Sequence, residues 1–134
     1  MIGNRAVEEL AAGVFGNVTF DHIFILDTNL ATIDSSAFLS SKDRLEQLTI
    51  VGSRLEDFPF YILPQMTQLR ELQLDSNFLK SVPALKSKNL QNLSLSLNQI
   101  ETLESGWSMP NLEYLNISKC YLYLKCRDES SAHL

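Results

Sequence analysis

Hydrophobic and polar positions alternate in a frame that recurs along the chain. The clearest copy is Leu69–Leu79, which reads L-x-x-L-x-L-x-x-N-x-L, with Leu72 and Leu74 separated and flanked by polar residues. A period of two is the pattern of a β-strand with one buried face. The segment therefore predicts a short strand that is followed by a turn at Asn77.

Four further copies of this frame are present, together with a partial copy at Ile2–Leu10. The five full copies start at Phe20, Leu45, Leu69, Leu90 and Leu112, so that the periods are 25, 24, 21 and 22 residues. Periods of about 20–50 residues are the mark of solenoids and related repeat architectures. The sequence therefore predicts a stack of similar coils, the first of them incomplete.

One strand per repeat predicts a single curved parallel sheet, because consecutive parallel strands need a crossover and the rest of each repeat supplies it. The six strands are expected to be centred near Ile2, Ile23, Leu48, Leu72, Leu93 and Leu115. The convex side is expected to be irregular or short-helical. We expect the connection Lys80–Lys88 to be extended or turn-like and the longer connection Ser35–Arg44 to hold a helical turn.

A polar position ends each strand, and its chemistry suits a buried turn. It holds Arg5, Thr28, Ser53, Asn77, Asn98 and Cys120 in successive coils. Buried backbone groups must be hydrogen-bonded. Asn, with two donors and an acceptor, does this best, Ser and Thr do it in part, and Cys does it weakly. Arg5 does not suit the role, which predicts that the first coil is frayed or open at its end.

The repeat boundaries predict one domain over residues 1–126. It has a partial first repeat at 1–19, repeats that start at 20, 45, 69, 90 and 112, and a disordered tail at 127–134. Coil ends expose strand edges and apolar side chains. We therefore expect self-association through uncapped ends, with Tyr121, Tyr123 and Leu124 as the C-terminal contacts.

Composition narrows the function classes. The net charge of −5 disfavours nucleic-acid binding, which needs clustered cations, and no apolar run is long enough for a membrane span. No signal peptide precedes the repeats, so the chain is either cytosolic or without its native N-terminus. The two histidines, His22 and His133, stand at opposite ends. We therefore expect no catalytic constellation, no metal site and no cofactor, and so no enzyme.

With these residues, the chain resembles extracellular leucine-rich-repeat proteins, over about residues 2–124, and its predicted fold class is the α/β leucine-rich-repeat solenoid. More closely, it resembles arthropod proteins related to the non-catalytic subunit of a decapod-shrimp luciferase. The strings that carry this closer resemblance are Phe15–Phe20 followed by Ile23–Ile25, Asp27–Leu30, Phe58–Phe60 with Ile62–Pro64, and Glu104–Trp107. The resemblance implies a secreted, non-enzymatic recognition protein or partner subunit.

The chain also departs from that family. Extracellular members usually carry cysteine-rich caps at both ends, whereas this chain has two cysteines, Cys120 and Cys126, without the four-cysteine pattern of a C-terminal cap. Terminal coils normally need a polar cover. The sequence therefore favours a fragment, an isoform or a member that is capped in another way. Whether Cys120 is a free thiol or bridges Cys126 is left open.

The outward strand positions form what we call the concave face. Its three columns are His22, Gln47, Glu71, Asn92 and Tyr114; Phe24, Thr49, Gln73, Ser94 and Asn116; and Leu26, Val51, Asp75, Ser96 and Ser118. Phe24, Leu26 and Val51 are apolar where solvent exposure is expected, which is typical of an interaction site or of a surface that another segment covers. The partner-binding residues are predicted to be Phe24, Leu26, Thr49, Val51, Gln73 and Asp75. The carboxylates of Glu71 and Asp75 form either a cation site or, more often in such a pattern, a solvated face.

Three N-x-S/T sequons are present, at Asn17, Asn92 and Asn116. Asn17 lies in a predicted connecting loop and is the glycosylation candidate if the protein is secreted. Glycans at the other two sequons would obstruct the concave face.

Two functions fit these observations. The first is a recognition module that binds a protein or glycan partner, of unknown identity, on the concave face. The second is an accessory subunit that stabilises a separate secreted enzyme, as the resemblance implies.

Overall fold

The computed structural model describes residues 1–118, which contain nine short β-strands and two 3₁₀ helices. The strands are β1 (Glu9–Leu10), β2 (His22–Leu26), β3 (Thr32–Ile33), β4 (Gln47–Val51), β5 (Glu71–Gln73), β6 (Ser81–Val82), β7 (Asn92–Ser94), β8 (Thr102–Leu103) and β9 (Tyr114–Asn116). The 3₁₀ helices are Leu39–Ser41 and Phe60–Gln65.

Five of these strands form one sheet in the order β2-β4-β5-β7-β9, and every pairing is parallel. The register aligns the same frame position in each strand: Ile23, Leu48, Leu72, Leu93 and Leu115 stand side by side. This confirms the predicted solenoid and its repeat frame. Because a shift of one residue would turn every apolar side chain to the other face, the apolar alternation holds this register.

The convex side is more regular than predicted. Two short parallel ladders lie there, one between β1 and β3 and one between β6 and β8. Strands of two residues are too short to show a period in the sequence, so these ladders escaped prediction. The expectation for Lys80–Lys88 is confirmed, since β6 is extended. The helical turn predicted within Ser35–Arg44 is present as the 3₁₀ helix Leu39–Ser41.

The core lies between the five-stranded sheet and the convex side. It contains the inward leucine and isoleucine positions of the coils that hold β2, β4, β5 and β7, and Leu45, Leu69 and Leu90 are fully buried. Aromatic rings fill the space on the convex side. The Phe15 and Phe38 ring centroids lie 6.3 Å apart in a stacked pair, and those of Phe58 and Phe60 lie 5.0 Å apart edge to face.

The Asn77 side chain forms hydrogen bonds with backbone groups where β5 ends and the chain turns. Its side-chain N–H groups donate to the carbonyl oxygens of Ile50 (2.8 Å), Leu74 (3.1 Å) and Asp75 (3.1 Å). Its Oδ1 accepts from the Leu55 N–H at 3.2 Å. The side chain therefore links its own coil to the preceding one, which is the role that the frame predicted for it.

The same position has a similar role in the coils of Thr28, Ser53 and Asn98, but not in the first coil, where Arg5 occupies it. Asn98 donates to the carbonyl oxygens of Leu74, Leu95 and Ser96 and accepts from the Leu79 N–H. In the earlier coils the hydroxyl groups of Thr28 and Ser53 lie 2.8 Å apart and replace this amide. Each of these hydroxyls takes part in two hydrogen bonds, whereas the side chains of Asn77 and Asn98 each take part in four, as their chemistry predicts.

A left-handed residue precedes each of these polar positions. Asp27 (φ 54°), Gly52 (φ 68°), Ser76 (φ 56°) and Leu97 (φ 56°) occupy it, and only the glycine adopts this region without strain. Gly52 is also needed for space, because a Cβ there would collide with Oδ1 of Asp27. The repeat frame, which records apolar positions, gave no sign of this feature.

The predicted strand near Ile2 is wrong in three respects. Ile2 forms a single isolated bridge instead of a strand, and it pairs with Leu26, whereas the frame places it opposite Ile25. Its side chain is 73% exposed instead of buried. The reason lies in Gly3, which takes the left-handed conformation (φ 64°), so that one extra residue stands between the left-handed position and Arg5. The frame is regained at Leu10, which pairs with Ile33.

Several expectations fall on residues outside the described range. These are the coil position of Cys120, the state of Cys126, the domain end at residue 126, the tail at 127–134, and the C-terminal contacts Tyr121, Tyr123 and Leu124. Within residues 1–118, no helix is long and apolar enough to cross a bilayer.

Candidate partner-binding surface

The register brings the predicted concave face together. His22, Gln47, Glu71, Asn92 and Tyr114 align across the sheet as the first column, and Phe24, Thr49, Gln73, Ser94 and Asn116 align as the second. In the third column, Leu26 pairs with Val51. Side chains that are far apart in the sequence therefore share one surface.

An apolar patch occupies the N-terminal end of this face. We define it by Phe24, Leu26 and Val51, of which Phe24 is 43% exposed and the other two are half-buried. The exposed His22 ring stacks on Phe24, with centroids 6.5 Å apart and planes 10° from parallel. His22 thus belongs to the patch, although it was not predicted as a partner-binding residue. Its position two residues before Phe24, on the same side of the strand, is the signal that could have found it.

Residues 1–3 lie along the outer edge of β2 and leave the Phe24 ring exposed. The Met1 amino group donates to the Phe24 carbonyl at 2.6 Å, and Met1 O accepts from the Leu26 N–H at 2.8 Å. These are backbone contacts in the plane of the sheet. Within the described residues, the patch is therefore open to a partner.

The central residues of the predicted site are less accessible. Thr49 is only 4% exposed, although it points to the outward side. Gln73 is half-buried and donates to Glu71 Oε1 at 2.7 Å. Both residues offer a partner less surface than Phe24 does.

Asp75 is engaged within the fold. Its Oδ1 accepts from the Ser94 hydroxyl (2.6 Å), the Ser96 N–H (2.8 Å) and the Ser96 hydroxyl (2.9 Å). This carboxylate therefore ties β5 to the next coil. The alternative of a cation site with Glu71 gains no support here, since residues 1–118 contain no cluster of three metal-ligating side chains.

Tyr114 stands at the other end of the first column. It lies on β9 and is 54% exposed. It was placed on the concave face but not predicted to bind a partner. A tyrosine in an outward position among polar residues is the signal for it, because tyrosine is enriched at interfaces.

A polar cavity of about 390 Å³ opens beside the apolar patch, where β2 and β4 end. We call it the edge cavity. Its lining includes Arg5, Asp27, Asn29, Gly52, Arg54 and Phe78. The frame did not predict this cavity, because its walls come from turns in four successive coils.

The three sequons differ in position. Asn17 is exposed in a turn, and the hydroxyl of Thr19 in its sequon accepts a hydrogen bond from Arg44 at 3.0 Å. Asn92 and Asn116 are half-buried on the concave face. The Asn17 side chain is thus the most exposed of the three.

Comparison with known proteins agrees with the architecture. Residues 67–122 match the family model described as "Leucine rich repeat". Over 120 residues, or 87% of this chain, the sequence is 37% identical to the Oplophorus-luciferin 2-monooxygenase non-catalytic subunit of Oplophorus gracilirostris, of which 33% is covered. It is 30% identical over 84 residues, or 60% of the chain, to leucine-rich repeat-containing G-protein coupled receptor 5 of Rattus norvegicus, of which 9% is covered.

The chain thus spans about a third of the length of the first relative and under a tenth of the second. No solved structure gives a significant match. The stacked parallel strands, the buried leucine frame, the family match and the similarity to the luciferase subunit agree with one another. The chain therefore folds as a leucine-rich-repeat solenoid, and its sequence is similar to the Oplophorus non-catalytic subunit.

Proposed function

We propose that the chain is a non-enzymatic recognition module that binds a protein or glycan partner through the N-terminal half of the concave face. The observation that carries this proposal is the exposed Phe24 ring, flanked by Leu26 and Val51 on a face where alternation predicts polar side chains. Exposed apolar clusters with a polar surround mark interaction sites. The absence of enzymatic activity is supported by the name of the relative, which is a non-catalytic subunit.

The apolar patch is the proposed centre of the contact. Its polar border towards the C-terminal coils is formed by Thr49, Gln73 and Asp75. These residues offer a partner little contact area, since Thr49 is buried and Asp75 is hydrogen-bonded internally. A stable protein interface covers on the order of 800 Å² per partner. The partner must therefore extend beyond the patch, and His22 is the adjacent exposed group.

Replacing Val51 with glutamate is expected to abolish partner binding, because a carboxylate would be desolvated at the centre of an apolar contact. Val51 is half-buried at the surface, so the fold should tolerate the change with a thermal midpoint close to that of the wild type. The measurement is quantitative co-purification from the native tissue, with the midpoint read by circular dichroism.

Val14→Glu is the matched control, because Val14 is an exposed valine in a turn outside the concave face. It should retain the partners that the wild type recovers. If Val51→Glu lowers the midpoint and the binding together, Val51 belongs to the fold and the proposed site is wrong. If Val51→Glu recovers the same partners as the wild type, the patch is not the contact.

A second candidate is an accessory subunit that stabilises a separate secreted enzyme. It is favoured by the 37% identity to a protein that is named as a non-catalytic subunit. The same co-purification separates the two functions. An accessory subunit brings an enzyme with it in fixed stoichiometry, whereas a recognition module does not.

The same similarity supports an extracellular location, which we include in the proposal, and the proposal predicts glycosylation at Asn17. When the chain is secreted from insect cells behind a supplied signal peptide, Asn17→Gln is expected to remove one N-glycan, because Asn17 is exposed in a turn and begins an N-x-T sequon. Electrophoretic mobility with and without a glycosidase measures this. Asn89→Gln, at an exposed asparagine outside any sequon, is the control. Unchanged mobility of Asn17→Gln would contradict the prediction.

A further inference from the structure

The edge cavity contains two cationic side chains that have no partner within the described residues. Arg5 and Arg54 both line it. Their guanidinium groups form neither an ion pair nor a hydrogen bond within residues 1–118, whereas Arg44 is paired with Asp21 at 2.8 Å. With the Asp27 carboxylate in the same lining, the two arginines give the cavity a net charge of +1 in a chain whose net charge is −5.

The backbone around both arginines is held by cross-coil hydrogen bonds. The Asn29 side chain donates to Arg5 O at 2.8 Å, and the Arg54 N–H donates to Leu30 O at 2.9 Å. The backbone of both arginines is thus bonded to the Asn29–Leu30 turn, which lies one coil after Arg5 and one coil before Arg54. A guanidinium group binds a carboxylate in a planar, two-pronged geometry, which makes such a group the matching ligand.

The cavity continues the apolar patch. Asp27 and Gly52, which line it, directly follow Leu26 and Val51 in the chain. Phe78, another lining residue, is an exposed aromatic ring. A ligand that reaches from the patch into the cavity would therefore meet apolar surface first and the arginines next.

We propose that the edge cavity binds the carboxylate of an acidic side chain from a protein partner whose neighbouring apolar residue lies on the Phe24–Leu26–Val51 patch. This names the partner chemistry for the proposed function and rests on it only for the apolar half of the contact. The Asp27 carboxylate also lines the cavity and repels the carboxylate of the partner, which lowers the affinity of the cavity for it. Its left-handed backbone (φ 54°) suits asparagine as well, so the charge can be removed without a change of shape.

The probes are two blocked dipeptides, acetyl-leucyl-glutamyl-amide and its glutaminyl counterpart, titrated into the isotopically labelled chain. The nuclear magnetic resonance signals of the arginine Nε–H groups and of the Gly52 amide report on binding. We expect saturable shifts of the Arg5, Arg54 and Gly52 signals with the glutamyl peptide and none with the glutaminyl peptide. Arg54→Gln should weaken its binding about two- to fivefold and Asp27→Asn should strengthen it by a similar factor, as for exposed charge pairs.

Arg70→Gln is the matched control, because Arg70 is exposed and lies outside the cavity lining. It should leave the affinity unchanged. Equal shifts with the glutaminyl peptide, equal shifts at Arg70, or no effect of Arg54→Gln would overturn the proposal. So would binding of glucuronate in preference to the glutamyl peptide, since that outcome assigns the cavity to an acidic saccharide.

The test separates this proposal from the proposed function. If Val51→Glu abolishes partner recovery while the glutamyl peptide gives no arginine shifts, the cavity assignment alone is wrong. If the peptide binds as expected while Val51→Glu recovers every partner, the patch is wrong and the carboxylate site stands alone.

Discussion

Replacing Leu74 with alanine is expected to lower the free energy of unfolding by about 2–5 kcal/mol, as other buried leucine truncations do. Leu74 is fully buried in the core and follows β5 in the centre of the solenoid, with described coils on both sides. The loss combines the transfer free energy of the removed atoms with the cost of a cavity that packed neighbours cannot fill. Against a typical stability of about 5–15 kcal/mol, the change is large.

Chemical denaturation followed by circular dichroism measures this change. Leu95→Ala, one coil later and equally buried, should behave alike. Leu97→Ala is the matched control, because Leu97 is 54% exposed and should shift the free energy of unfolding by no more than about 0.5 kcal/mol. Equal midpoints for Leu74→Ala and the wild type would mean that Leu74 does not belong to the core.

Replacing Asn77 with alanine is expected to cost about 2–4 kcal/mol, since each buried backbone group that loses its partner costs about 1–3 kcal/mol. The Leu55 N–H loses its acceptor, and the Ile50 carbonyl loses the donor that joins the two coils. The Leu74 carbonyl keeps the Asn98 amide, which moderates the loss. Because Asn77 is 3% exposed, water has little access to replace these bonds.

Asn89→Ala is the matched control for this change. The Asn89 amide also donates across coils, to Thr67 O at 2.6 Å, but the residue is exposed and water can take its place. We expect its cost to stay within about 0.5 kcal/mol. Asn77→Ser should fall between alanine and the wild type, since Ser53 occupies the same position in the preceding coil. A cost for Asn77→Ala as small as that for Asn89→Ala would show that the asparagine bonds contribute little to the fold.

Leu74→Ala and Asn77→Ala test two different contributions to the stability of the fold. Leu74 contributes apolar burial, which its alternation with polar neighbours made visible in the sequence. Asn77 contributes directed hydrogen bonds between coils, which the recurrence of one polar residue type made visible. Both roles repeat from coil to coil, and for that reason both could be predicted from the amino-acid sequence.

The candidate site was predicted less completely than the fold. The concave columns and the apolar Phe24, Leu26 and Val51 followed from alternation alone, and the register places them together. Their role as a partner-binding site stays a prediction. The low exposure of Thr49 did not follow from alternation, because exposure depends on how far neighbouring side chains rise above the sheet. The internal bonds of Asp75 depend on Ser94 and Ser96 in the next coil.

The sequence by itself determined the repeat, the parallel strands and their buried side, because period-two alternation and a recurring polar residue are local and repeat in every coil. Only the tertiary structure decided the register of Ile2, the left-handed turns at Asp27 and Leu97, and the edge cavity. Each of these depends on where one coil lies against the next. The one-residue insertion near Gly3 and the cavity wall built from the turns of separate coils do not produce a repeating sequence pattern. They can be recognised only once the coils are stacked.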